Sequence, residues 1–432
     1  MLGADRAAAA IGMLAAVSHR LVDVELAEPI GGVALGSDDG IAVRVHRRGR
    51  IVGYVLQRLA PGSVLDAAAL DTAIARGASV DIARAAIEDE LRGWTPATVD
   101  PPGPSITVAV CSRNRAPRLA RCLASILAAA ADRTGVDVVV VDNAPDDDST
   151  RELVEATPGV RYVCEPLPGL DFARNRAVAC GTGDVLAFVD DDVVVDEDWI
   201  RALRVAFSDH PEVGCVTGLV LPFAVGTDAQ VRFEQRGGFR RGFIRQRYQG
   251  PSDPHDPLFP FGAGRFGAGC NMAFRRSVLV ELGGFDDALD TGPPLPGGGD
   301  LDIFFRVLRA GNALVYEPRA IVCHEHRDDH RGLRRQYWSW GTGYLAFLGK
   351  CWRLPEDRPT VVAVARWWLR YEVKLFVKAV LGREGMTVDL AAAELLGGVV
   401  GAAGGYGRSE ARVAAIRAGH RSPGHPVPPC NR

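Results

Sequence analysis

The chain of 432 residues contains no uninterrupted apolar run of the roughly 18 residues that a membrane-spanning helix needs. A spanning helix is therefore not expected, while a place on a membrane surface stays open. The nine cysteines, at 111, 122, 164, 180, 215, 270, 323, 351 and 430, are scattered and nowhere spaced as CxxC. That excludes a zinc knuckle or a disulfide framework as the organising device and fits a reducing, cytoplasmic setting, the inner face of a membrane included. Neither sign of charge is in excess: a formal net charge of −3 gives the molecule no reason to seek nucleic acid. The opening "MLGADRAAAAIGMLAAV" lacks the charge order and cleavage site of a signal peptide and reads as a short helix. No internal repeat is present.

What the chain does have is an ordinary globular balance, 47% hydrophobic and 24% charged, over a length that suits two or three domains. Residues 1–100 read as a small accessory α/β module. Within it "IAVRVHRRGRIVGYVL" gives two alternating strands around a basic turn at Gly49, followed by the helical "DAAALDTAIARG" and "DIARAAIEDELRGW". "TPATVDPPGP", residues 95–104, can continue neither helix nor central strand and marks a linker.

From residue 104 to about 335 the rhythm becomes strand, helix, strand, helix. "SITVAVCS", "VDVVVVDN", "VRYVCE" and "DVLAFVDDD" are near-continuous apolar runs, which is how strands buried on both faces read. Between them, "RLARCLASILAAA" places Leu119, Cys122, Leu123, Ile126 and Leu127 on one helix face, and "STRELVEA" and "LDFARNRAVACG" continue the pattern. The fold class is α/β, a doubly wound, mostly parallel sheet with a helical region over 336–432. Ligands of such sheets bind beyond the carboxyl ends of the strands. "CSRNR" (111–115), "DNAPDDD" (142–148) and "DDD" (190–192) all fall there.

"FVDDDVVVDEDW" gathers three aspartates where an apolar strand ends. Crowded carboxylates resist ionising unless a cation sits among them. Asp190 and Asp192, two residues apart in a chain leaving its strand, are suited to hold Mn²⁺ or Mg²⁺, the hard ions that keep positions free for a diphosphate. Asp196, Glu197 and Asp198, ahead of "WIRALRVAF", are explained as helix-capping acids.

Together, "VAVCSRNRAPRLARCLASI", "VVVVDNAPDDDST", "GLDFARNRAVACGTGDVLAFVDDD", "GAGCNMAFRRSVLVELGGFD" and "GGGDLDIFFRVLRAGNALVYEPRAIVCHEHR" resemble, in order and over about half the chain, a family 2 glycosyltransferase of the GT-A fold. The resemblance implies a metal-dependent, inverting transfer of a sugar from a nucleoside-diphosphate donor to an acceptor hydroxyl on a glycan, a lipid-linked molecule or a small molecule. The settings it suggests are cell-surface glycan, glycolipid or natural-product glycosylation. It implies that Cys111, Arg113, Arg115 and Asp142 hold the nucleotide, Arg113 being otherwise a surface ion pair, and that Arg174 and Asn175 line the donor cleft. Asp191 then contacts a sugar hydroxyl or shapes the turn. His324, with His326 second, completes the Mn²⁺ or Mg²⁺ site of Asp190 and Asp192.

The same resemblance makes Asp300 the base that takes the acceptor proton. Gly299 stands where the family has a glutamate, a departure that leaves Asp302 as the competing acid. "FGAGCNMAFRR" corresponds to the loop bordering the acceptor, so Gly269 and Asn271 face it, unless Asn271 instead holds a turn together.

Two further stretches keep two readings each. "RFEQRGGFRRGFIRQRYQG" (232–250) is a lid or contact for an anionic acceptor, or a solvated loop; no RNA-binding motif accompanies it. In "ARWWLRYEVKLFVKAVLGR", Arg366, Arg370, Lys374 and Lys378 share one helix stripe, which suits an anionic membrane surface or the outer side of a helix packed on the catalytic domain. Two other functions compete: a sugar-nucleotide-binding scaffold without turnover, and a nucleotidyltransferase. The second would carry a glycine-rich, lysine-containing loop after its first strand, and "CSRNRAPR" has neither residue.

Overall fold

The computed structural model describes residues 17–92, 103–131, 133–208, 210–253, 255–292, 295–382 and 386–420. The expected N-terminal helix over 1–17, apart from Val17, most of the expected linker and Cys430 lie outside them. The described residues form two compact units.

The smaller unit takes in 17–92 together with 224–237 and 326–333. Strands β1 (Arg20–Glu25), β3 (Gly40–Arg47) and β4 (Arg50–Arg58) make a sheet of order β1-β3-β4, and β2 (Val33–Ala34) pairs separately with β5 (Val64–Leu65). The basic turn forms as its sequence suggests: Arg48 and Gly49 both take positive φ, 56° and 78°, the combination that a two-residue hairpin turn demands. The two expected helices are one, α1 (Ala67–Arg92). Gly77 does not break it, because a Cβ there would stand 2.9 Å from a methyl of Val55; the glycine lets helix and sheet approach.

The larger unit holds 103–223, 238–325 and 334–420 among the described residues. It is built on β6 (Ile106–Ser112), α2 (Ala116–Ala130), β7 (Val136–Asn143), α3 (Ser149–Glu155), β8 (Val160–Glu165), α4 (Leu170–Cys180), β9 (Val185–Asp190), β10 (Val193–Val195), α5 (Trp199–Ser208) and β11 (Val213–Pro222). After α6 (Asp228–Gln235), which belongs to the smaller unit, come β12 (Gln246–Gln249), β13 (Asn271–Arg275), α7 (Arg276–Glu281), α8 (Gly299–Arg309) and β14 (Ala313–His324).

These strands form one nine-stranded sheet of order β10-β14-β11-β13-β9-β6-β7-β8, with β12 paired to β14. The run β9-β6-β7-β8 is parallel throughout, as the alternation of buried strands and helices requires; β13 joins it antiparallel and β11 and β14 are parallel to each other. Successive residues of β6 serve opposite cores. Val108 and Val110 face Leu119, Leu123 and Ile126 of α2 and Leu203 of α5, whereas Ala109 lies with Ala173 and Ala177 of α4 and Ile303, Phe304 and Val307 of α8. Burying both faces is the physical content of the unbroken apolar runs.

The region after 335 is helical: α9 (His330–Cys351), α10 (Arg358–Val380), α11 (Val388–Ala402) and α12 (Gly405–His420). Phe305 of α8 shares a core with Phe347 and Leu348 of α9 and with Val361, Val364 and Trp368 of α10. Among the described residues no single helix is long and apolar enough to cross a membrane. The basic stretch around 240 is tied down rather than loose. Residues 246–249 pair with β14, the Gly242 carbonyl accepts the Tyr316 hydroxyl at 2.7 Å, and Arg245 meets Glu317 at 3.2 Å.

Candidate active site

Parallel registry aligns the carboxyl ends of the central strands. Cys111 stands opposite Asp190 and Ser112 opposite Asp142. The chain leaving β9 then turns through three acids, and each finds a different environment. Asp191 accepts the Ser112 hydroxyl at 2.8 Å and the Arg115 guanidinium at 3.1 Å. It therefore fixes the turn, the second of its two expected roles. Asp192 lies 3.5 Å from Arg115 and 3.3 Å from Nε2 of His324.

His324 arrives because β14 ends beside β10, with Val193 registered against it, and the Phe239 ring packs edge-on to the imidazole at 5.3 Å. His326 does not share this role. It is buried in the smaller unit with its imidazole 2.9 Å from Glu234, so an ion pair or hydrogen bond within that unit accounts for it.

Atoms of Asp190, His324 and Cys270 lie within 4.8 Å of one another. Burial and the neighbouring Asp192 and Asp191 carboxylates push Asp190 up, against the opposing charges of Arg174 and Arg115. A divalent cation reverses that balance, since it favours the ionised carboxylates that otherwise repel. A donor set of carboxylate, imidazole and thiol around one point fits such an ion.

Across from these acids stands Asp300, the second residue of α8. Its carboxylate accepts the backbone N–H groups of Gly269 at 3.1 Å and Leu301 at 2.9 Å. Burial and Asp290 push Asp300 up, while Arg174 and those two N–H groups oppose the shift. Gly269 packs directly on it, for a Cβ at 269 would lie 3.2 Å from the Cβ of Asp300 and 3.1 Å from Nη2 of Arg174. Gly269 and Cys270 are adjacent, so one peptide unit links the candidate base to the candidate metal ligands.

Arg174 lies buried between acids, 2.9 Å from Asp171 and 3.2 Å from Asp290. Burial works against its charge, but Asp171, Asp290, Asp190 and Asp300 outweigh it. Cys111 is half-buried, and burial first, with Asp190 adding and Arg174 opposing, pushes its thiol up to about 12. Arg113 is exposed and reaches Asp146 at 3.7 Å, the surface-pair alternative.

Three expectations need correction. Asn271 does not face an acceptor: it is 1% exposed, accepts the Trp199 indole N–H at 3.0 Å and donates to the carbonyls of Leu219 and Ala320 at 3.1 and 2.8 Å. Asn175 does not line the cleft with a free amide; it bonds the N–H and carbonyl of Phe285 and the Asp287 carboxylate, bracing the 285–287 loop. Asp302 is no rival base, since it is 1% exposed and clamped by Arg306 at 2.7 Å and Lys350 at 2.6 Å. For Asn271, Asn175 and Asp302 a side chain on the expected element turns into the fold, where protein groups satisfy it. Asp142 is fully buried, with the Tyr162 hydroxyl 3.0 Å from Oδ2 and no hydrogen-bond partner for Oδ1 among the described groups.

Cys270 was not singled out in the sequence. Scattered cysteines give no ligand spacing, and the relevant signal is long-range: antiparallel registry of Asn271 with Val189 sets residue 270 opposite Asp190. Asp171 also escaped notice. It is fully buried, and its Oδ2 has no hydrogen-bond partner among the described groups. A Cβ on Gly299 would stand 2.1 Å from that oxygen, so the Asp171 carboxylate occupies the space a side chain at 299 would need.

Residues 107–283 match the family described as Glycosyl transferase family 2. The pre-mycofactocin glycosyltransferase of Mycobacterium tuberculosis is 30% identical over 312 residues, 68% of this chain and 60% of the relative. The chain thus spans less than two thirds of that relative's length. The glucosyl-dolichyl phosphate glucuronosyltransferase of Haloferax volcanii is 25% identical over 252 residues, 54% of this chain and 74% of the relative. The succinoglycan biosynthesis protein ExoM of Rhizobium meliloti is 32% identical over 235 residues, 52% and 68% of the two chains. Among solved structures, a mannosyltransferase from Pyrobaculum calidifontis in complex with GDP-Man and Mn²⁺ is 21% identical, with a TM-score of 0.46 over 78% of this chain and 87% of the other.

Proposed function

We propose that this chain, which belongs to glycosyl transferase family 2 through residues 107–283, moves a sugar from a nucleoside-diphosphate donor to an acceptor hydroxyl with inversion at the anomeric carbon. The observation that carries the reading is the single peptide unit between Gly269, whose N–H holds Asp300, and Cys270, which lies against Asp190 and His324. A proton acceptor and a cation site thereby stand at the two ends of one peptide unit, close enough to serve one displacement.

Asp190, Asp192 and His324 would hold Mn²⁺ or Mg²⁺, which when bound supplies positive charge to the departing diphosphate. Arg115, pinned by Asp191, adds a fixed cation beside the same acids. Asp300 takes the proton of the acceptor hydroxyl, and the freed oxygen attacks the anomeric carbon opposite the leaving group. Asp290 and burial raise its basicity, while the Gly269 N–H keeps the carboxylate aimed. No covalent enzyme intermediate enters.

The acceptor we favour is lipid-linked. The exposed side of α10 carries Arg366, Arg370 and Lys374 beside Trp367, Leu369, Tyr371, Val373 and Val377, and its one acid, Glu372, is buried. An anionic membrane surface complements such a face. The glucosyl-dolichyl phosphate named for the Haloferax relative supports an acceptor of this class.

Thermal stabilisation by a panel of nucleotide sugars, with and without Mn²⁺, tests the donor half of the reading. A transfer assay with the stabilising donor, and Asp300→Asn as control, tests the chemistry. Stabilisation indifferent to both metal and nucleotide overturns the reading; binding without any Asp300-dependent turnover leaves a scaffold in its place.

A further inference from the structure

The transfer chemistry gives no task to the thiol at the centre of the site. Cys270 is a free cysteine, 4% exposed, and its chain neighbours are both committed: Gly269 to Asp300, Asn271 to Trp199 and two carbonyls. Two separate strand pairings converge on it. Antiparallel registry of β13 with β9 sets residue 270 against Asp190, and the end of β14, held by β10 and β11, delivers His324 from the other side.

We propose that Cys270 is a ligand of the catalytic metal, so that the site presents oxygen, nitrogen and sulfur donors and favours a borderline ion such as Co²⁺ or Zn²⁺ over Mg²⁺. The inference rests on the donor-site reading above. A metal about 2.0–2.3 Å from each nitrogen or sulfur donor brings ligand atoms to within about 4 Å of one another, so donors already within 4.8 Å need close by only a fraction of that gap. Buried cysteines more often act as small hydrophobes. Cys270 does belong to the apolar cluster that holds Val110, Val189 and Ala273, but packing alone gives no reason for its sulfur to lie within 4.8 Å of both a carboxylate oxygen and an imidazole nitrogen. Magnesium demands an octahedron of oxygen donors and gains little from sulfur, whereas thiolate strengthens binding of softer ions. On coordination the thiol proton passes to solvent and sulfur donates its lone pair to the ion; no oxidation change is involved.

Cobalt reports the bond directly, because a thiolate ligand adds an intense near-ultraviolet charge-transfer band that carboxylate and imidazole do not. The full chain, stripped with chelator, is titrated with Co²⁺ alone while absorbance and calorimetric heat are followed. The wild type is expected to bind one Co²⁺ with that band. Cys270→Ser, which keeps the side chain's size, and Cys270→Ala should lose the band and bind Co²⁺ about tenfold more weakly or worse, while Mg²⁺ affinity stays unchanged. Circular dichroism confirms that each variant is folded. Co²⁺ bound by the wild type without the band, or with a band that survives both substitutions, overturns Cys270 as a ligand and leaves the metal site standing. Absence of Co²⁺ binding altogether overturns the donor-site reading as well.

Discussion

The Asp300 carboxylate and the Gly269 N–H meet at 3.1 Å, and this contact fixes the orientation of the acid relative to the loop it faces. An amide at 300 keeps the shape but cannot take a proton. Asp300→Asn should therefore lower transfer by roughly 10²–10⁴-fold while donor affinity, read by calorimetry with Mn²⁺ present, stays within a factor of a few. Equal losses in donor binding and turnover would show that Asp300 serves the donor rather than the acceptor.

Asn271 gives the opposite expectation. Its amide satisfies the Trp199 indole and two buried carbonyls. Asn271→Ala strands all three and should cost about 2–4 kcal/mol of stability, seen in urea unfolding. The acceptor KM of whatever folded protein remains should be unchanged; a variant of normal stability with a raised acceptor KM would restore the acceptor-facing role.

Gly299 and Asp171 form a space-sharing pair. Gly299→Ala drives a methyl into the Asp171 carboxylate and should destabilise by about 1–3 kcal/mol. Asp171→Ala makes room but removes a partner of Arg174. The double variant Asp171→Ala/Gly299→Ala should then be more stable than the sum of the two single losses, because the clash is gone in it. Strict additivity in a double-mutant cycle would mean the two positions do not share that space.

How much of this was legible follows from what sequence patterns encode. Val138–Val141 and Val185–Val189 declare strands buried on both faces, and parallel strands fix where their carboxyl ends gather, so Asp190 and Asp192 could be placed from one dimension. The direction of a side chain within an element is set by neighbours far away in sequence. Asn271 needs Trp199, Leu219 and Ala320 to explain it, and Asn175 needs residues 285–287. Asp300 and Asp302 were separable in principle, since two positions on a helix differ by roughly 200°, but the Lys350 that claims Asp302 lies 48 residues away, at the far end of the next helix. Cys270 depended on strand registry, which no local pattern carries.

Acid sensitivity should concentrate where α9 and α12 meet the 285–288 loop. Asp286 contacts Lys350 at 2.6 Å, the Tyr406 hydroxyl at 2.7 Å and the Ala288 N–H at 2.9 Å. Burial alone would raise its carboxyl, but Lys350 and these hydrogen bonds outweigh burial and hold it below the usual range. A carboxyl lowered on folding adds stability above its unfolded value of about 3.9, and that stability fades as pH falls through the folded value. Asp286→Asn should thus lower the melting temperature at pH 7, with the gap to wild type closing below about pH 4. A gap that stays constant down to the acid transition would mean the ion pair contributes nothing.

The outer face of α10 leads to the last expectation. Trp367, Leu369, Tyr371, Val373, Val377, Val380 and Leu381 are 43–60% exposed, the Trp367 and Tyr371 rings stack at 5.6 Å, and the inner side of the helix is committed through Val361, Val364 and Trp368 to the core shared with α8. That exposed face therefore cannot be needed for the packing of its own helix. Each basic residue near an anionic surface is worth about 1 kcal/mol, so Arg370→Glu with Lys374→Glu should weaken binding at least tenfold. The protein is expected to sediment with vesicles containing phosphatidylglycerol, far less with pure phosphatidylcholine, and less as salt rises. Because the reversed charges lie outside the core, the variant should keep its melting temperature and its turnover of a soluble acceptor. Protein left in the supernatant at every vesicle composition would exclude the membrane, and self-association that depends on the same residues would assign the face to a second copy instead.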